Sequence, residues 1–330
     1  MNSFGPRLTG IRRSDYAAHL RRGGSSAINV GVSRACQRSP SAASSYPRPA
    51  RMPPRTPAKK KQGSAPKQPA KSAPPPAPPR PQSIEERTAY LERELQKAPA
   101  EFQQQYRENL DMSWIYHDAA IEGVVYTYQE LRTAMDGTVA VVDSNMQPVC
   151  EEIRRHREAL NVVRELAVKT VKAPITLDHL KRLYVTLHPE EGDVKTARYR
   201  KDIPQHRLYF HEYAPPDKIA YKMRQIIDWV NDPETKKSRS TVRLAARAHY
   251  DILRVFPFTQ DSGKVARLFM NMLLLRGGYP PAIVHSTERQ RYYEALRGSS
   301  TTMTSIILEA IENNLASVEK LLEDLAAGDR

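Results

Sequence analysis

Between Gln82 and Ser83 the sequence changes character, and that boundary constrains the fold more than any other feature. Residues 1–82 hold 15 of the 26 prolines and 16 Lys/Arg against the single acidic residue Asp15, a net of +15. Runs such as Pro53-Pro54-Arg55 and Pro74-Pro75-Pro76-Ala77-Pro78-Pro79 lack the apolar side chains needed to offset the entropy of ordering, so a disordered, partly polyproline tail is expected here. From Ser83 onward apolar residues recur at helical spacing, and this part carries 35 basic and 36 acidic residues. The charge that would attract an anionic partner therefore belongs to the tail, not to the body. A solvated tether is the plain reading of that tail. Docking on an anionic polymer through Lys59-Lys60-Lys61 and the arginine pairs, or capture by a proline-reading module, are the functional ones.

Two cysteines, Cys36 and Cys150, cannot build a disulfide framework or a zinc site alone, which excludes the disulfide-rich secreted class and points to a reducing, cytoplasmic setting. No run of 18 apolar residues occurs, so no membrane span is expected, and the first 30 residues lack the apolar stretch of a secretory signal. Residues 1–45, rich in Arg and Ser and poor in acid, have the composition of an organelle transit peptide, the alternative localisation.

Ser83 with Glu86 forms a capping-box pair ahead of Tyr90, Leu91 and Leu95, which predicts a helix over 84–97. Helical patterns follow near 101–122, 127–135, 148–169, 176–188, 216–231, 239–254, 263–277, 287–297 and 301–325, with a second capping box at Thr127 and Glu130. One stretch reads as strand: residues 202–213, where Leu208, Tyr209 and Phe210 lie between Pro204 and Pro215-Pro216, enough for a short hairpin. The expectation is an all-α body with one β flap.

Two of these helices flank a short break, Phe256-Pro257-Phe258-Thr259-Gln260-Asp261-Ser262-Gly263-Lys264-Val265-Ala266-Arg267. Pro257 stops the first helix, and Gly263 lets a ligand approach backbone near the start of the second. A helix N-terminus followed by Lys264 and Arg267 suits an anion, because unpaired N–H groups and the helix dipole favour negative charge there. The plain alternative is an ordinary helix start capped by Asp261 or Ser262.

Here the chain resembles the Fic (Fido) family of nucleotidyltransferases, whose signature is His-Pro-Phe-x-Asp/Glu-Gly-Asn-Gly-Arg/Lys-x-x-Arg. Pro257, Phe258, Gly263, Lys264 and Arg267 match it without a gap. Phe256 replaces the histidine, Gln260 the acidic residue, Asp261 the first glycine and Ser262 the asparagine. The surroundings agree across residues 85–325. Ala119-Ala120-Ile121-Glu122-Gly123 looks like the family's inhibitory helix, Leu187-His188 and Ala197-Arg198-Tyr199-Arg200 resemble the approach to the flap, and the Trp229 helix, Ala245-Ala246, Gly278-Tyr279-Pro280-Pro281 and Arg291-Tyr292-Tyr293 follow in order. The implied organisation is a tail over 1–82 and a Fic-like domain over 83–330, with the inhibitory-type helix near 101–122 and the core near 176–325.

The resemblance implies transfer of AMP from ATP to a protein hydroxyl, with Ser262, Gly263, Lys264 and Arg267 at the nucleotide's phosphates. Glu122 would be the regulatory partner of Arg267, and Leu208, Tyr209 and Phe210 would dock a target or partner segment. Phe256 has no lone pair and cannot act as the general base, a loss of about 10²- to 10⁴-fold by itself. His249, His206 and His211 are the nearest substitutes, each read first as structural or solvated. Gln260 weakens the Mg²⁺ site, since Mg²⁺ prefers carboxylate oxygen. Asp261 could supply that oxygen or cap the following helix with its own charge, and capping is the expectation. Asp118 stands where the family has Ser or Thr four residues before the glutamate. A pseudoenzyme that binds nucleotide or docks a protein is the first reading, and an active transferase of altered mechanism the second.

Overall fold

The computed structural model describes residues 83–136, 144–204 and 212–328. The chain divides into two units, Met1–Ala73, which lies wholly outside the described residues, and Pro74–Arg330, which holds every element below. The expected tail and its binding motifs thus fall outside the described residues, as do Leu208, Tyr209 and Phe210 of the expected hairpin, with His206 and His211.

The helices are α1 (Ile84–Lys97), α2 (Ala100–Glu122), α3 (Tyr128–Met135), α4 (Gln147–Lys169), α5 (Leu177–Leu187), α6 (Pro216–Asn231), α7 (Pro233–Ser238), α8 (Thr241–Val255), α9 (Ser262–Arg276), α10 (Arg289–Arg297) and α11 (Ser300–Gly328). Each helix expected from periodicity appears within a few residues of its expected bounds, and no strand occurs among the described residues. Both capping boxes form: Ser83 Oγ accepts from the Glu86 N–H at 3.1 Å, and the Glu130 carboxylate accepts from the Thr127 N–H at 2.6 Å. The six-residue α7 is too short to show an apolar period. It starts on Asp232, whose carboxylate accepts from the Thr235 N–H at 2.8 Å, with Pro233 at the first helical position.

Helix α9 is the axis of the body. Every residue from Ser262 to Leu274 is buried, Lys264 and Arg267 included, so the helix runs through the interior and its two charges must be paired there. It packs against α8, α4, α5 and α2, while α11 covers the other side of α8 and reaches α1 and α10. Ala245, Ala246 and Ala248 expose no surface, and side chains this small let α8 lie close to its neighbours. None of the described helices is long and apolar enough to cross a membrane.

Two fastenings position the site. Helix α2 ends in Gly123 at φ 95, a left-handed conformation suited to glycine, and α10 holds that end in place: Arg289 Nε at 2.8 Å and the Tyr293 hydroxyl at 2.7 Å both donate to the Ile121 carbonyl. At the other side the buried Arg200 donates to the carbonyls of Phe256 (2.6 Å), Asp202 (2.8 Å), Val255 (3.0 Å) and Ala214. One guanidinium thereby ties Asp202 and Ala214 to the start of the motif break. Its planar fork of donors suits that task.

Candidate functional site

The break between α8 and α9 is a tight, well-anchored loop. Among the described non-glycine residues only Phe256 (φ 51) and Asp261 (φ 50) adopt positive φ, and they stand at its two ends. Ser262, the first residue of α9, turns its hydroxyl back to accept from the Phe258 N–H at 2.8 Å and to donate to the Phe258 carbonyl at 3.0 Å. Phe258 stacks on Tyr184 with ring centres 3.9 Å apart. Phe256, at the position of the family's base, is 4% exposed and packs on Tyr213, ring centres 4.9 Å apart. It is part of the core.

Asp261 departs from the expectation that its carboxylate caps α9. The residue occupies the N-cap position, yet its side chain makes no cap hydrogen bond. The left-handed backbone turns the carboxylate away from the helix, toward His188 Nε2 at 2.9 Å and Lys264 Nζ at 3.3 Å. From there ionic contacts extend into a chain. His188 Nδ1 lies 3.0 Å from Glu190, Glu190 lies 3.7 Å from Arg155, and Lys264 Nζ lies 3.1 Å from Glu152. Glu152 and Arg155 are both on α4, so six residues of alternating charge join α4, the end of α5, the loop and α9.

The titrations follow this geometry. Burial opposes ionisation of Asp261, but His188 and Lys264 hold its carboxyl at about 2. Burial likewise opposes the charge on His188, and the Asp261 and Glu190 carboxylates outweigh it and raise the pKa. The buried Lys264 is raised in the same way by Asp261 and Glu152.

Arg267 is held from a third side. Its Nε donates to Asp118 Oδ1 in a very short contact, and its Nη2 donates to the Asp118 carbonyl at 3.2 Å and to Glu122 Oε1 at 2.9 Å. The ion pair with Glu122 expected from the sequence is therefore present. Asp118, one helical turn earlier on α2, is the more deeply placed of the two carboxylates, its side chain 3% exposed against 17% for Glu122. Its second oxygen stands 3.0 Å from Nε2 of the buried His156, close enough for an ion pair but poorly angled for a hydrogen bond. Desolvation favours the neutral acid, yet Arg267 with His156 keeps the Asp118 carboxyl below its ordinary value. His249 also belongs to this buried set. Fully enclosed, it lies 2.8 Å from the Tyr292 hydroxyl and has its pKa lowered to about 3 by burial and by Arg267, so it is structural.

The structure thus gathers Ser262, Gly263, Lys264, Arg267, Glu122 and Asp261 around the start of α9, and adds Asp118, His156, His188, Glu152, Glu190 and Arg155. Sequence marked Asp118 only as a departure from Ser or Thr, and His188 only as a landmark before the flap. Nothing in the spacing linked Glu152 or Arg155 to the motif. The donor set does not fit a carboxylate-held Mg²⁺: Asp261 is engaged by two cations, Gln260 points to solvent, and no cluster of His, Cys, Asp or Glu able to hold a metal occurs among the described residues. The two cations that would meet phosphate each carry two carboxylates of this chain already.

Residues 174–274 match the Fic/DOC family. Protein adenylyltransferase Fic of Drosophila willistoni is 30% identical over 191 residues, covering 56% of this chain and 36% of that protein. Protein adenylyltransferase fic-1 of Caenorhabditis elegans is 27% identical over 193 residues, with 56% and 35% covered. The chain thus spans about a third of the length of these relatives. Among solved structures, a Fic domain containing signaling protein from Bacteroides thetaiotaomicron superposes with a TM-score of 0.58 at 22% identity, over 73% of this chain and 95% of that one. Fic-1 of C. elegans gives 0.56 at 22% identity, over 72% and 71%. These likenesses carry the fold. The break between α8 and α9, with Arg267 just beyond it, lies inside the matched residues 174–274, and the chain carries a Fic domain there.

Proposed function

We propose that this Fic domain acts as a pseudoenzyme, a docking or nucleotide-sensing module that no longer transfers AMP. The observation that carries the reading is Phe256: the base position holds a buried phenyl ring packed on Tyr213, and the histidine nearest to it in the chain, His249, is sealed in the core with a lowered pKa. Without a proton acceptor the attacking hydroxyl loses about 10²- to 10⁴-fold in rate. The carboxylates on Lys264 and Arg267 add to this, because an incoming phosphate must displace them.

Docking is favoured by a cleft beside α6 and α8. A cleft of about 670 Å³ opens between Tyr213, Trp229 and the charged Lys222, Arg247, Asp251 and Arg254, an aromatic floor with a mixed-charge rim suited to a peptide. Leu208, Tyr209 and Phe210 would dock a target or partner segment. The basic tail would add a contact to an anionic polymer or a proline-reading module.

The test is transfer of labelled AMP from ATP with Mg²⁺, to the protein itself and to a lysate, by the wild-type chain and by a Phe256→His, Gln260→Asp variant. Wild type is expected to give no label above background. Robust wild-type labelling would overturn the reading in favour of the relatives' adenylyltransferase activity. A gain in the double variant would show that the rest of the site can still receive ATP.

A further inference from the structure

We infer that Asp118, rather than Glu122, is the residue that closes the arginine of the motif to an incoming anion. The inference rests on reading this region as an anion site, and it separates two carboxylates that lie one turn apart on the same face of α2.

Glu122 is the last residue of its helix, partly exposed, and reaches Arg267 by one bond to Nη2. Asp118 is buried, meets Nε through its carboxylate and Nη2 through its carbonyl, and is backed by His156. Contact geometry distinguishes them, since either deletion removes one negative charge. Without Glu122 a phosphate still meets a guanidinium with a buried carboxylate along its Nε edge. Bidentate recognition of an anion needs that kind of edge. Without the Asp118 carboxylate Nε is released, and the residue's backbone carbonyl stays on Nη2 beside the more exposed Glu122, the weaker charge. Asp118 thus makes the main bolt on Arg267 an internal one. Glu122 becomes the dispensable part.

The test uses the full chain as wild type, Glu122→Gly, Asp118→Asn and the double variant, with two readouts. The first is the Nε–H resonance of Arg267, assigned with Arg267→Lys, followed for its position and its exchange with water. The second is the affinity for inorganic pyrophosphate by calorimetry. Glu122→Gly is expected to keep the protected Nε–H signal and to bind pyrophosphate within about 2-fold of wild type. Asp118→Asn should shift that signal or speed its exchange, and the double variant should bind at least about 10-fold tighter than Glu122→Gly. Loss of the signal, or the whole gain in affinity, on Glu122→Gly alone would overturn the inference. Pyrophosphate bound by none of the four, with the resonance behaving as expected, would uphold the lock while refuting the anion-site reading. Asparagine keeps the shape of aspartate. Should Asp118→Asn nevertheless fail to fold, Glu122→Gly alone decides, since its retained signal and unchanged affinity are the expected result and their reverse the contrary one.

Discussion

Asp261 shows how one backbone conformation redirects a side chain. Aspartate tolerates left-handed geometry better than most residues, and once there its carboxylate serves His188 and Lys264 instead of the helix it precedes. The pH consequence has a definite sign. The lowered carboxyl of Asp261 contributes stability that is complete above its ordinary value of 3.8 and is lost as pH falls toward about 2. The raised imidazole of His188 contributes fully below its ordinary 6.5 and is lost as pH rises through its higher folded value. Both act together between those two values. Asp261→Asn keeps the backbone preference and removes the charge, so urea unfolding near pH 5 should show a loss of about 2 kcal/mol that shrinks as the pH is lowered. In the same variant the NMR titration midpoint of His188 should drop. An unchanged midpoint would mean that the ring contact is not ionic. Asp118→Ala should cost more, about 3–5 kcal/mol, because it leaves Arg267 without the buried half of its counter-charge. Neither result was legible in the residues alone. The sequence showed an aspartate before a helix, for which capping is the ordinary outcome, and the competing partner His188 lies 73 positions away.

At the scale of the element, the end of α2 matters most, because it sets where both Asp118 and Glu122 stand. Gly123 has room for a side chain: a Cβ there would meet only the tip of Arg289, at 3.9 Å. The constraint is φ 95, not space. Gly123→Ala should therefore destabilise by about 1–2 kcal/mol in urea melts, with Gly123→Asn closer to wild type, since asparagine accepts left-handed backbone more readily. Tyr293→Phe removes the hydroxyl that donates to the Ile121 carbonyl and should cost about 1 kcal/mol in the same assay. An equal loss for both substitutions at position 123 would place the penalty in packing and not in the backbone. The helices themselves were largely readable, because amphipathic period and capping boxes act within a few residues of each other. Helix α7 was not. Six residues give no period, and only Asp232-Pro233 marked its start.

At the scale of the whole molecule, the apolar core of the described residues runs from Leu91 to Val318, with α9 at its centre. Because residues 1–82 lack periodic apolar positions, a chain beginning at Ser83 is expected to melt within a few degrees of the full chain, by calorimetry or circular dichroism. A fall of many degrees would show that residues 1–82 contribute to the folded body. Local order determined much of this protein directly from sequence: the start of α1 at its Ser83 cap, ten helices, the break at Pro257, and the matched residues Gly263, Lys264 and Arg267. These rest on interactions among near neighbours in the chain, which composition and spacing report. The pairing of Arg267 with Glu122 was reachable only through the family resemblance, since 145 residues separate the two. What only the tertiary structure decided is which charges meet. Arg267 finds Asp118 149 positions away, and Lys264 finds Glu152 112 positions away. Electrostatic partners are chosen by distance in space and by the low dielectric of the interior, and neither quantity exists until the helices have packed.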